Sequence, residues 1–167
     1  MSSDTDRILS ARDREEYLVD ELTGTYRRGA GLFELERALV QAKRTGQSFT
    51  LSFIDVDSLK RVNDAYGHGA GDELLILIVD SIRNQIRPYD LLIRYGGDEF
   101  LCGQLGLELT DVMCRFELAN VLLAVSGRAS VSVGFAELSE PESLGSLIRK
   151  ADDDLYRRRR QRSGLPT

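Results

Sequence analysis

Cysteine is too scarce to organise this chain. Cys102 and Cys114 are its only two, so there is no disulfide framework, and their spacing suits no metal site. No apolar run approaches the roughly 20 residues that a membrane-spanning helix needs. The opening Met1-Ser2-Ser3-Asp4-Thr5-Asp6 lacks the basic-then-apolar pattern of a secretory leader. Histidine occurs once, at His68 in a glycine-rich stretch, where loop packing or a backbone hydrogen bond is expected rather than catalysis. Cations are in deficit: 22 Lys and Arg stand against 27 Asp and Glu, for a net charge of -5. That argues against a broad nucleic-acid surface, because phosphate binding wants a basic face. Internal repeats and low-complexity linkers are also missing. These absences imply a single-domain cytoplasmic protein with two buried, reduced thiols, no nucleic-acid partner and no membrane contact.

What is present is an ordinary globular composition with a clear succession of elements. Residues 1–19 are highly charged and form a lead-in, helical or disordered, to a domain over 20–167. Asp20-Glu21-Leu22-Thr23-Gly24 reads as a turn. A helix with Leu32, Leu35 and Leu39 at helical spacing follows, and Gly46 closes it. Phe49 to Ile54 is a short apolar run that ends abruptly at Asp55-Val56-Asp57, as a buried strand does when it delivers carboxylates at its C-terminal edge. A short helix through Leu59 and Val62 leads to a Gly67–Gly71 loop. Asp72 opens the next helix, with the apolar stripe Leu75, Ile78, Val79, Ile82 and Ile86, and Pro88 ends it. Residues 91–95 and 100–104 are strand-like and flank Gly96-Gly97-Asp98-Glu99, a hairpin signal. A helix through Val112, Phe116, Ala119 and Leu123, a strand through Val131, Val133 and Phe135, and a final helix from about Leu144 complete the chain. The tight hairpin makes the sheet mainly antiparallel. The expected fold is therefore α+β, a ferredoxin-like or polymerase-palm sandwich with helices flanking the central sheet and the active site on the β-hairpin.

In such a sheet the first strand neighbours the hairpin, so Asp55, Asp98 and Glu99 converge at one edge. Crowded like charges are costly unless a cation neutralises them. Carboxylate oxygens with room for phosphates suit Mg²⁺, and Gly96 and Gly97 leave space for a bulky triphosphate. This is the logic of two-metal phosphoryl transfer. Each piece alone has a plain reading: Gly-Gly-Asp-Glu as a solvated turn, Asp55-Val56-Asp57 as a strand end or helix cap.

Together the pieces resemble the GGDEF family of diguanylate cyclases. Arg94-Tyr95-Gly96-Gly97-Asp98-Glu99-Phe100 matches its signature. Asp20-Glu21-Leu22-Thr23-Gly24 resembles its D-x-L-T-G opening, and Asp55-Val56-Asp57-Ser58-Leu59-Lys60-Arg61-Val62-Asn63-Asp64 its D-[IV]-D-x-F-K-x-[IV]-N-D segment. Tyr66-Gly67-His68, Gly71-Asp72, Ser130 to Gly134, and Ala151-Asp152 to Tyr156 continue the likeness over roughly residues 20–162.

The resemblance implies condensation of two GTP into cyclic di-GMP, with release of two pyrophosphates, in bacterial signalling. Asp55, the carbonyl of Val56, Asp98 and Glu99 would hold two Mg²⁺ ions per GTP, with Mn²⁺ as an alternative. Glu99 would also help to activate the ribose 3′-hydroxyl. Lys60, Arg159 and the backbone N–H groups of Ser58 and Leu59 would hold the triphosphate, and Asn63 and Asp72 would read guanine. Arg87 and Asp90 stand in the register of the family's R-x-x-D product-inhibition site; a helix-ending salt bridge is the alternative. One domain holds one GTP, so activity implies a homodimer, with the charged lead-in or else an upstream sensory domain or partner setting its formation. A non-catalytic receptor for GTP or cyclic di-GMP is the rival reading, against which retention of Asp98 and Glu99 speaks. The chain departs from the family at Arg27-Arg28-Gly29, where N-R-R is usual, and lacks the proline expected near Gly103-Gln104-Leu105-Gly106. Arg159 replaces a lysine, and Ser163 stands where an arginine is usual, with Arg160 or Arg162 as substitutes.

Overall fold

The computed structural model describes residues 18–125, 129–139 and 142–162. Most of the charged lead-in and Ser163 lie outside these. The elements in order are β1 (Tyr26–Arg27), α1 (Arg28–Thr45), β2 (Phe49–Val56), α2 (Leu59–Tyr66), α3 (His68–Arg83), β3 (Leu91–Arg94), β4 (Glu99–Leu105), α4 (Leu109–Val125), β5 (Val131–Glu137) and α5 (Leu144–Arg162). They form the expected α+β fold, built on one five-stranded sheet in the order β1-β3-β4-β2-β5. Every pairing is antiparallel except β1 with β3.

Strand β2 lies between β4 and β5, and its alternating side chains divide the core. Phe49, Leu51 and Phe53 face α1 and α5, where Leu35, Leu39, Leu147 and Leu155 pack. Ile54 and Val56 face α3 and α4, against Ile78, Ile82, Val112, Phe116 and Leu123. α5 lies tightly on β5. A methyl at Gly134 would stand 2.1 Å from the Ala151 carbonyl oxygen. The Phe135 N–H donates 3.0 Å to Asp154 Oδ2, which uses a donor of the edge strand. α1 ends as expected at Gly46, left-handed at φ 65°, whose N–H bonds the Ala42 carbonyl.

Several expectations are corrected. The 67–71 loop is confined to Gly67, which at φ 86° breaks the chain between two helices; α3 starts at His68, so His68 is an exposed first-turn residue and Asp72 lies inside the helix. Gly69 and Gly71 read as loop residues, but Gly71 is small because Asn63 packs on it. α3 stops at Arg83 rather than near Pro88, although Ile86 still packs against the core. β1 has two residues, too short to show periodicity. Cys102 is buried, and burial pushes its thiol pKa up, whereas Cys114 is exposed on α4. Among the described residues no helix is long and apolar enough to cross a membrane.

Candidate active site

The apolar run of β2 carries its strand through Asp55 to Val56, so the carboxylate is fixed by ladder bonds on both sides. Asp55 stands opposite Glu99 on β4 and opposite Ser132 on β5. Glu99 opens β4 rather than sitting at the turn tip. Its carbonyl accepts from the N–H groups of Tyr95 (2.8 Å) and Gly96 (3.1 Å), and the Val56 N–H donates 2.9 Å to the Asp98 carbonyl. Backbone bonds therefore fix Asp98 and Glu99 against the end of β2. A Cβ on Gly96 would lie 2.6 Å from Glu99 Oε2, so the missing side chain leaves room for that carboxylate.

The Asp20–Gly24 turn buttresses the hairpin from outside. Asp20 accepts from the Thr23 N–H (3.0 Å), the Thr23 hydroxyl (2.7 Å) and Arg94 Nη1 (3.0 Å). Against the effect of burial, these bonds hold its carboxyl below the usual range. Arg94 Nη2 also donates 2.9 Å to the Gly97 carbonyl.

Asp57 is part of the site in a way the motif alone does not announce. Its carboxylate accepts from the hydroxyls of Ser130 (2.7 Å) and Ser132 (2.8 Å), and its N–H donates 3.0 Å to the Ser130 carbonyl. Ser130 and Ser132 are two apart at β5, a period-2 signal visible in the sequence. Ser58 next turns left-handed at φ 67°, the only non-glycine with positive φ among the described residues. That conformation costs roughly 1–2 kcal/mol in an L-residue and turns the chain sharply into α2. No side chain caps α2, and its first residues, Leu59 and Lys60, line the cleft described next.

A cleft of about 570 Å³ opens here, lined by residues 55–60, Asp98, Ser132, Arg159 and Arg162. Arg159 reaches into it from α5. Its Nη2 donates to Asp55 Oδ1 in a short ion pair and, at 3.2 Å, to Asp57 Oδ1. Burial, then the charges of Asp98 and Asp57, push the Asp55 pKa up against the opposing pull of Arg159. Burial and the charges of Asp55, Asp98 and Asp152 raise that of Glu99. Although burial works against its charge, Arg159 is held more firmly protonated by the two aspartates.

Asp55, Asp98 and Glu99 are thus neighbours whose charges oppose one another. Among the described residues no group of three or more His, Cys, Asp or Glu side chains is gathered closely enough to hold a metal by itself. The expected residues are adjacent, and Asp55 pairs with Arg159. The chemistry of the set fits a hard divalent cation: carboxylate and carbonyl oxygens around a charge excess that one guanidinium now answers.

The other expected site residues divide into groups. Lys60 is exposed and lines the cleft with Ser58 and Leu59. Asn63 and Asp72 are not in its lining. Asn63 packs on Gly71, where a Cβ would stand 1.9 Å from its Oδ1, and that oxygen is buried without a hydrogen-bond partner. Asp72 is exposed in α3. Gly97 is exposed at the hairpin turn with open space around it.

Arg87 and Asp90 pair within the loop between α3 and β3, away from the carboxylates. Asp90 Oδ1 accepts from Arg87 Nη2 at 2.8 Å, while Oδ2 accepts from the Arg87 N–H (2.8 Å) and from Gln104 Nε2 (3.0 Å). The Asp90 side chain is only 1% exposed. Arg87 lies over the Tyr89 ring at 4.7 Å and lines a cleft of about 950 Å³ with Phe33, Arg37 and Tyr89. Gln104, unremarked in the sequence, ties this pair to β4.

Comparison with known proteins gives the same outline. The family model described as "Diguanylate cyclase, GGDEF domain" matches residues 17–164. The chain is 33% identical over 144 residues to diguanylate cyclase DgcM of Escherichia coli (strain K12), covering 83% of this chain and 35% of that protein. It is 34% identical over 147 residues to diguanylate cyclase DgcS of Shewanella oneidensis, covering 83% of this chain and 48% of that protein. The chain thus spans less than half the length of these relatives. The GGDEF domain of DgcB from Caulobacter crescentus, solved in complex with c-di-GMP, superposes with a TM-score of 0.82 at 30% identity, over 86% of this chain and 91% of that one.

Proposed function

The chain belongs to the GGDEF domain family, and from that premise we propose that it is a diguanylate cyclase that joins two GTP into cyclic di-GMP. The observation that carries the reading is the placement of Asp55, Asp98 and Glu99 at one sheet edge, beside a cleft lined by Lys60 and Arg159. Each ribose 3′-oxygen attacks the α-phosphorus of the facing GTP. Two P–O bonds form, two break, and two pyrophosphates leave. Glu99, its pKa raised by burial and by its acidic neighbours, is suited to take the 3′-hydroxyl proton. Asp55, Asp98 and the Val56 carbonyl would hold Mg²⁺, which when bound supplies charge neutralisation at the phosphates. Lys60, Arg159 and the first N–H groups of α2 would hold the triphosphate. Asn63 Oδ1, which lacks a partner, offers guanine an acceptor, with Asp72 on the neighbouring helix next to Gly71, on which Asn63 packs.

One domain would position one GTP, so catalysis requires two copies facing each other. Arg87 and Asp90 would form a product-binding site, provided that the ligand competes for Arg87, which Asp90 now holds. The rival reading, a module that binds nucleotide without turnover, draws on the Asp55–Arg159 pair, which closes off one expected metal ligand. Incubation with GTP and Mg²⁺ across protein concentrations separates the two. Cyclic di-GMP rising more steeply than linearly with protein, and lost in Asp98→Ala, is expected. Binding of GTP with no product at any concentration would sink the cyclase reading.

A further inference from the structure

We infer that Arg159 is a built-in counter-ion for the carboxylates of Asp55 and Asp57 at the end of β2, one that a divalent cation must displace before nucleotide can react. The inference rests on the metal site proposed above. One guanidinium nitrogen bridges Asp55 Oδ1 and Asp57 Oδ1, and the second carboxylate is held for it by the Ser130 and Ser132 hydroxyls at 2.7 and 2.8 Å. The arrangement is carried by main-chain features. Gly134 lets α5 lie against β5, and Asp154, five residues before Arg159 on the same helix, is tied to the Phe135 N–H. Arg158, beside Arg159, is in turn bonded to Asp154 at 2.5 Å. The helix thus delivers Arg159 to the cleft in a fixed position.

Residue chemistry makes this more than a surface ion pair. Arg159 stays charged at any accessible pH, and its Nη2 alone donates to both carboxylates. The side chain is 38% exposed and long enough to leave. It therefore has two alternative sets of partners in one cleft: Asp55 and Asp57 when no cation is present, and phosphate oxygens once a cation has taken the carboxylates. In this chain the guanidinium and the metal compete for Asp55, whereas the guanidinium and the metal cooperate on nucleotide. The sign of the Arg159 contribution thus reverses between the two ligands.

The test measures Mn²⁺ binding alone, by electron paramagnetic resonance of the free ion, and then binding of a non-hydrolysable GTP analogue in the presence of Mn²⁺. Arg159→Gln should bind Mn²⁺ about tenfold more tightly than the unaltered chain, the scale expected for removing a competing charge from partly screened carboxylates. The same variant should bind the analogue about tenfold more weakly. Arg159→Lys should largely restore nucleotide binding. A merely structural role would weaken both. Asp98→Asn serves as the reference for the site. If Asp98→Asn weakens Mn²⁺ binding but Arg159→Gln leaves it unchanged or weaker, the metal site stands and the counter-ion inference is overturned. If no Mn²⁺ binding depends on Asp98, the site itself fails and the inference falls with it.

Discussion

Replacing Asp98 by asparagine should make the metal-free protein more stable while removing its activity. The change is isosteric and leaves the Val56 N–H bond to the residue 98 carbonyl in place. What it removes is a negative charge that weighs on both Asp55 and Glu99. Both are only partly buried, so each like-charge interaction is discounted to the screened scale of about 0.2–1 kcal/mol. Together they amount to about 1 kcal/mol, which for a domain of this size raises the melting temperature by roughly 2–4 °C. The assay is thermal unfolding with a chelator at mildly alkaline pH. The sign with pH follows from the raised carboxyls of Asp55 and Glu99. Their folded-state pKa values exceed the unfolded ones, so the penalty is fully present above those raised values. It is relieved as pH falls through them, and the advantage of the variant should narrow on acidification. With Mg²⁺ and GTP the order should invert, because ligand at about 100 times Kd stabilises only the competent protein, by about 2.7 kcal/mol. A variant that melts at or below the unaltered protein in chelator would refute the crowding that the metal assignment depends on.

Three further substitutions test other parts of the frame. Gly71→Ala replaces a helical glycine, which favours α3 by up to about 1 kcal/mol, but its methyl meets Asn63 Oδ1 at 1.9 Å. Titration should show near-unchanged stability with markedly weaker GTP binding; unaltered GTP affinity would remove Asn63 from the guanine site. Arg87→Ala should relieve inhibition by cyclic di-GMP without lowering the initial rate. It should also cost about 1.5–3 kcal/mol by removing the charged partner of the buried Asp90, whose Oδ2 keeps the residue 87 N–H and Gln104 as donors, so the rate must be read below the lowered melting point; an unchanged inhibition curve would exclude a product site there. Gly134→Ala drives a methyl into the α5 backbone at Ala151 and Leu155. Loss of 1–3 kcal/mol or more is expected on denaturant unfolding, and a neutral result would mean that α5 does not depend on this close approach.

The parts of the site legible in sequence were those with a short period or a short range. The apolar run before Asp55 and the Gly-Gly pair before Asp98 define two strands and a hairpin, and hydrophobic alternation then places β2 beside β4. The Gly67–Gly71 stretch misled, because glycine signals a loop unless a neighbour demands its small size, as Asn63 does of Gly71. The two-residue β1 carried no periodicity to read. Least legible was the contact between Arg159 and Asp55, separated by 104 residues. The arginine run at the end of α5 reads as a solvated helix end favoured by the helix dipole, and for exposed Arg157 and Arg160 that reading fits. Which arginine turns inward depends on the helical phase set by Gly134 and Asp154 against β5, a long-range packing constraint. The sequence therefore names the groups that can hold a cation, while the fold decides which group answers their charge when the cation is absent. The family position filled here by Arg159 is thereby coupled to the carboxylates as well as to phosphate, so loss of its positive charge is expected to shift metal and nucleotide affinity in opposite directions.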